Sequence, residues 1–247
     1  MPLLPGAEPI RHTGGSIAAL LIHGLGSTPQ SLGGWSEHLA DHGYSVSVPR
    51  LPGHGTSLAE CNRTRWQDWY AETERAFDEL HGRCESVFVM GHGMGGTLTL
   101  RLAARRRGVA GLVLVNPAVS TTGPERHLLP LLAPFLPGWP RVASDIKRPG
   151  VTEPGYERMP VRAAQSLLQL QAATVPDLAD VHQPTLIFTS EDDHVVEPEN
   201  SEFILEHISS RDRHQEMLEQ SYHVATLDND AEYIFAHSRK FIERLTG

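Results

Sequence analysis

The chain has 247 residues, 40% hydrophobic and 21% charged, which suffices for one large buried core and excludes a disordered or fibrous polymer. Its 21 basic and 30 acidic residues give a net charge of −9, which excludes a broad phosphate-binding surface and so argues against a nucleic-acid partner. Two cysteines, Cys61 and Cys84, are too few for a disulfide scaffold or a thiolate metal site, and no apolar run reaches the roughly 20 residues that cross a bilayer. The segment Met1 to Gly6 has neither the basic n-region nor the apolar stretch of a signal peptide, so the expected location is cytoplasmic, without stable membrane insertion. In chain order, short apolar runs alternate with longer amphipathic ones. Strands are predicted at 17–22, 44–48, 87–90, 111–115, 185–189 and 214–218. Most are apolar at successive positions, the pattern of parallel strands covered on both faces. Helices are predicted at 32–41, 95–107, 199–207 and 230–245. Another opens at Thr64-Arg65-Trp66-Gln67, where Thr64 and Gln67 suit a capping box, and it turns Trp66, Trp69, Tyr70, Thr73, Ala76, Phe77 and Leu80 to one face. The fold class is therefore α/β, an open and mostly parallel sheet with ligands expected at the carboxyl ends of its strands.

Residues 120–183 break the alternation. Prolines recur at 124, 130, 134, 137, 140, 149, 154 and 160 around an apolar segment that includes Leu128, Leu129, Leu131, Leu132, Phe135 and Leu136. Such residues suit either a pair of core helices or a cap over the strand ends. Because the segment follows directly on a strand, the expected division is a core of 1–119 and 184–247 with a cap or lid of 120–183. Leu128, Leu132 and Phe135 would then offer an apolar wall to a substrate.

Chemistry concentrates after the strands. Val87 to Met90 run into Gly91-His92-Gly93-Met94-Gly95-Gly96, a strand, a tight glycine-rich turn and a helix, the context of a G-x-S-x-G nucleophile elbow. Small residues are needed there because strand and helix nearly touch. The central position, however, is Gly93. His23-Gly24-Leu25-Gly26 follows the first buried strand, and Leu51-Pro52-Gly53-His54-Gly55 the next. Asp193 stands in Asp193-His194-Val195-Val196 after the fifth predicted strand, and His223 in Ser221-Tyr222-His223-Val224 after the last.

Elbow, Asp and His in this order resemble the α/β-hydrolase superfamily, and within it the bacterial carboxylesterases and monoacylglycerol lipases with a small cap. The likeness runs from about residue 19 to 245. It implies an α/β-hydrolase fold and a mechanism in which the elbow serine attacks an ester carbonyl. It further implies His223 as base, Asp193 as the acid that orients it, and the backbone N–H groups of Leu25 and Met94 as an oxyanion hole. The implied substrate is an ester or lactone with an apolar portion. No metal and no organic cofactor is implied, and the sequence leaves the oligomeric state open.

Gly93 departs from the family at its reactive atom, so the nucleophile does not carry over, and this form is expected to be inactive or severely impaired. Three accounts stand: an engineered removal of the serine, a natural loss that leaves a ligand-binding pseudo-enzyme, or a cofactor-free lyase, cyclase or hydrolase chemistry run by His223 as general base. The completeness of the remaining set favours the first. Asp192 rivals Asp193, which is preferred for its Asp-x-Val-Val turn. His92 is expected to point away from the site. His38 and His42 have the i, i+4 spacing of a metal pair but no evident third ligand, and read as a solvated helix face.

Overall fold

The apolar runs become parallel strands in the computed structural model, which describes residues 3–123, 125–133, 135–140 and 144–247, apart from the side chains of Glu125, Arg126 and Leu132. Strands β1 (Ile10–His12) and β2 (Ile17–Ile22) lead to α1 (Gly33–Asp41), β3 (Ser45–Val48), α2 (Leu58–Cys61) and α3 (Trp66–His81). Then come β4 (Ser86–His92), α4 (Met94–Arg105) and β5 (Val109–Val115). The 120–183 segment contributes α5 (Glu125–Leu132), β6 (Gly138–Pro140), β7 (Arg158–Pro160) and α6 (Val161–Thr174). The chain closes with β8 (Thr185–Ser190), α7 (Glu199–His207), β9 (Arg213–Leu218) and α8 (Ala231–Thr246).

The main sheet has the order β1-β3-β2-β4-β5-β8-β9. All neighbours pair in parallel except β1, which runs antiparallel along the edge of β3. After β2 the chain moves to β3 on one side and then crosses to β4 on the other. That reversal opens a crevice at the carboxyl ends of β2 and β4, where open α/β sheets bind ligands.

Alternation along each strand sends side chains to two cores. Ala18, Leu20 and Ile22 pack with Trp69, Phe77 and Leu98 on one face. Ala19 and Leu21 pack with Trp35, Phe88 and Phe235 on the other. Both faces of the central strands are thus sealed by helices, which is why β2, β4, β5 and β8 read as largely apolar runs. Among the described residues, no helix is long and apolar enough to cross a membrane.

Two details depart from expectation. β1 escapes the sequence because three edge residues, an exposed Arg11 between two half-buried neighbours, carry no periodic signal. Half of the capping box forms, one residue later than expected. Arg65 is the N-cap of α3, and its N–H donates to the Asp68 carboxylate at 2.8 Å. Thr64 instead accepts from the Trp69 indole N–H (3.0 Å) and donates to the Cys61 carbonyl (2.9 Å), tying the helix start to its own core face.

Candidate active site

Gly93 sits between β4 and α4 with φ +55° and ψ −117°, a conformation that L side chains adopt only under strain. Its backbone is fixed from both sides. The Gly93 N–H donates to the Val115 carbonyl (3.0 Å), and the Gly93 carbonyl accepts from Ala118 (3.1 Å) and Gly96 (3.0 Å). Among the described residues other than its chain neighbours, a Cβ built on Gly93 would come within 4 Å of the His223 imidazole alone, 3.3 Å from Nε2 and 3.5 Å from Cε1.

The predicted base and acid are paired. Nδ1–H of His223 donates to Asp193 Oδ2 at 2.8 Å, and Asp193 Oδ1 accepts the Val195 and Val196 amides, each at 2.8 Å. The His223 and Asp193 side chains are 13% and 2% exposed. With the proton held on Nδ1, Nε2 carries its lone pair toward Gly93. Burial alone would lower the pKa of His223. The charge and hydrogen bond of Asp193, with Glu153 and Asp145 behind them, outweigh it and hold the pKa above the ordinary 6.5. Asp193 shows the converse balance: burial pushes it up, but His223 and the two amides bring it below 3.8. Asp192 instead has a 63% exposed carboxylate beside Lys147 Nζ (3.7 Å) and takes no part.

The peptide groups of His223 are held as firmly as its ring. Its N–H donates to Asp145 Oδ2 (3.1 Å). Its carbonyl accepts from Asn116 Nδ2 (2.8 Å) and His92 Nε2 (2.9 Å). His92 therefore does not point away from the site. It is 2% exposed, its ring lies 4.7 Å from that of His223, and it borders the cavity, because the loop after β9 folds back over the elbow. Burial, then the neighbouring His223 charge, lowers its pKa to about 4, so it is neutral and donates from Nε2.

Three supporting residues had no place in the sequence reading. Asn116, at the end of β5 with φ +45°, donates also to Ser190 Oγ (2.9 Å) and accepts the Ser190 N–H (2.8 Å), joining β5, β8 and the His223 loop. Its only signal is an Asn after an apolar strand, one of the few side chains that tolerate positive φ. Asp145 accepts from the His194 amide (3.2 Å) and His194 Nδ1 (2.8 Å) as well as from His223. Asp228 gathers four amides, those of Lys147, Arg148, Tyr222 and Asn229, at 2.6–2.9 Å. Isolated aspartates in loops announce nothing by spacing. Asn116→Ala leaves buried partners unpaired and places a non-polar side chain at positive φ. The expected loss is about 3 kcal/mol, read by urea unfolding at unchanged m-value.

Gly93, Met94, Leu25, Asp193 and His223 border one cavity of about 540 Å³. Among the described residues, the Leu25 and Met94 N–H groups donate to no protein acceptor. Both residues follow neighbouring strands, β2 and β4, which pair with Ile22 opposite Gly91. The apolar wall comes from the 120–183 segment, through Leu129, Met159, Ala164, Leu167 and Leu168. The expected wall residues are placed otherwise. Leu128 is 45% exposed, Phe135 is 82% exposed and borders a separate surface pocket beside α2, and the Leu132 side chain lies outside the described residues. The phase of α5 explains this: Leu129 and Ala133 pack with Val161 and Ala164 of the α6 region, which turns Leu128 outward. His38 on α1 and His42 at its C-cap do not line the cavity; their rings stand 4.6 Å apart, and His42 Nδ1–H donates to the His38 carbonyl.

The Hydrolase_4 family profile, described as "Serine aminopeptidase, S33", matches residues 17–230. The chain belongs to that family. It is 40% identical over 253 residues to the thermostable monoacylglycerol lipase of Bacillus sp. (strain H-257), spanning 100% of this chain and 98% of that one. It is 23% identical over 255 residues to a carboxylesterase of Bacillus subtilis (strain 168), spanning 96% and 97% of the two chains. A solved structure described as "LipS and LipT, two metagenome-derived lipolytic enzymes increase the diversity of known lipase and esterase families" superposes with a TM-score of 0.95 at 39% identity, covering 98% of this chain and 100% of that one. The monoacylglycerol lipase of Paleococcus ferrophilus (TM-score 0.74, 20% identity, 99% and 98% coverage) shares the fold. Fold and lineage are those of an α/β-hydrolase of lipase and esterase type.

Proposed function

We propose that the site is that of a carboxylic-ester hydrolase of carboxylesterase or monoacylglycerol lipase type, acting in the cytoplasm, whose serine mechanism is closed in this chain by Gly93. The observation that carries the reading is Nε2 of His223, on a ring held by Asp193, facing the residue-93 side-chain position at 3.3 Å. In the complete mechanism a serine at 93 attacks the carbonyl, His223 takes and returns the proton, Asp193 orients His223, and the Leu25 and Met94 amides receive the oxyanion. Residues 120–183 act as the cap, and the apolar part of the ester lies along Leu129, Met159 and Leu168. Two unpaired thiols, one of them buried, accord with a reducing compartment. With glycine at 93, a bound ester meets oxyanion donors and a base but no attacking side chain. The test is a pair of assays on Gly93→Ser: hydrolysis of short- and medium-chain p-nitrophenyl esters, and mass gain with a fluorophosphonate. Absence of both in a folded variant refutes the reading.

A pH profile of that serine variant is a second check. Catalysis needs neutral His223, so kcat/KM rises with pH through its pKa, and the acid limb falls above pH 6.5. Asp193→Asn in the same background removes the main raising influence and leaves the burial. The limb then moves to lower pH, while kcat falls on the order of 10⁴-fold. An unmoved limb would mean that another group titrates.

A further inference from the structure

We propose that, with Gly93 in place, the site catalyses a direct one-step-addition acyl transfer from an ester to a small neutral protic nucleophile, water or a short alcohol, seated where the residue-93 side chain would stand. The inference rests on the ester-hydrolase reading above and assigns this chain an activity of its own rather than that of the serine form.

Three observations carry it. The point where a Cβ would stand on Gly93 lies 3.3 Å from His223 Nε2, and among the described residues other than its chain neighbours the one further heavy atom within 4 Å is Cε1 of the same ring, at 3.5 Å. An oxygen set there, a few tenths of an ångström nearer, makes an ordinary O–H···N hydrogen bond of about 2.8–3.0 Å. Next, the imidazole is already committed to the needed tautomer by Asp193 at 2.8 Å, and its peptide groups are held by Asp145, Asn116 and His92. None of these supports involves a side chain at 93, so the base is organised without a serine. Finally, glycine occupies φ +55° at no steric cost, so the small space is a relaxed state of the backbone rather than a strained one.

The chemistry balances without a co-reactant beyond the nucleophile. Its O–H proton passes to His223 Nε2 while an oxygen lone pair forms the bond to the carbonyl carbon. The C=O π pair moves onto the carbonyl oxygen, which the Leu25 and Met94 amides receive. Collapse re-forms C=O, breaks the bond to the leaving alkoxide, and returns the His223 proton to it. Water yields acid and alcohol; methanol yields the methyl ester and alcohol. No acyl-enzyme forms at any point.

The experiment uses the full chain with p-nitrophenyl butyrate, in buffer and in a methanol series, with p-nitrophenolate followed optically and methyl butyrate quantified by mass spectrometry. His223→Gln, Gly93→Ala and Gly93→Ser are run beside it, each checked for folding by circular dichroism and melting. The expected result is a rate about 10²-fold above buffer, of the size general-base catalysis supplies. It has no burst, methyl ester rises with methanol, and the intact mass is unchanged. His223→Gln, and Gly93→Ala with its methyl group in the nucleophile's place, should each lower the rate about tenfold or more. If Gly93→Ala does not fold, a solvent deuterium isotope effect above about 2 on the unaltered chain takes its place as the sign of proton transfer in the rate-limiting step. Equal rates in the chain and His223→Gln, or an acyl adduct on the unaltered chain, overturn the proposal. Should Gly93→Ser hydrolyse the ester while the unaltered chain shows no His223-dependent rate, only this inference falls. Should neither be active, the ester-hydrolase reading falls with it.

Discussion

Gly93→Ser should raise ester hydrolysis by about 10³-fold or more while making the protein less stable. The gain follows from chemistry: removing a triad nucleophile costs on the order of 10⁶ in turnover in well-studied hydrolases, and what remains without it comes from the oxyanion donors and binding. Here the serine Cβ would lie 3.3 Å from His223 Nε2, so its hydroxyl, one bond further out, reaches hydrogen-bonding distance by rotation about a single torsion. The loss follows from the backbone. Serine at φ +55° and ψ −117° carries about 1–3 kcal/mol of strain that glycine lacks. For a domain of this size that lowers Tm by about 3–10 °C. Activity and stability therefore move in opposite directions from one substitution, measured by p-nitrophenyl ester turnover and calorimetry. A serine variant that gained stability would show that the turn is not the strained elbow described above.

Gly95→Ala is the second large effect, and it needs no catalytic argument. A Cβ on Gly95 runs into the carbonyl oxygen of Ile22 on the neighbouring β2, where backbone meets backbone and nothing flexible can give way. The first turn of α4 would have to lift from the sheet beside its central pairing with β2. The expected cost is about 4 kcal/mol or more, seen as a Tm lowered by about 10 °C or as failure to accumulate folded protein. Gly33→Ala is the matched control. Gly33 is helical (φ −57°) with no atom within 4 Å of its would-be Cβ, so alanine there should be neutral or stabilising by up to about 1 kcal/mol. If both variants melted together, the close approach of α4 to β2 would be wrong.

How much of this was legible beforehand depends on how local each signal is. Burial on both faces turns a strand into a continuous apolar run, so β2, β4, β5 and β8 could be read directly, and β3 and the edge strand β9 were legible too, each within a residue or two at its ends. β1 could not, because three edge residues satisfy no pattern. The order of elbow, aspartate and histidine was readable because each follows a strand, and strands put their carboxyl ends together. What stayed hidden was everything set by contact between distant segments. Asn116 matters because its amide reaches Ser190 and His223, more than 70 residues away. Asp145 and Asp228 act through backbone amides, which no side-chain motif encodes. The geometry of the elbow alone does not locate His92, since what it touches is the loop after β9. On α5 the choice between Leu128 and Leu129 is one of helix phase, decided by the packing against Val161 and Ala164 rather than by composition.

The support of His223 through its peptide groups has a consequence for how such a site changes over generations. The three side chains that grip those groups, Asp145, Asn116 and His92, stand on separate segments, and residue 93 is not among them. Position 93 is thus a socket whose contents can be exchanged while the rest of the machine stays assembled. Serine and glycine codons can differ by a single base, so the presence and absence of the attacking hydroxyl are one mutational step apart in either direction. A lineage that lost the hydroxyl would keep, for as long as the fold is under selection, a catalytic frame ready to accept it again.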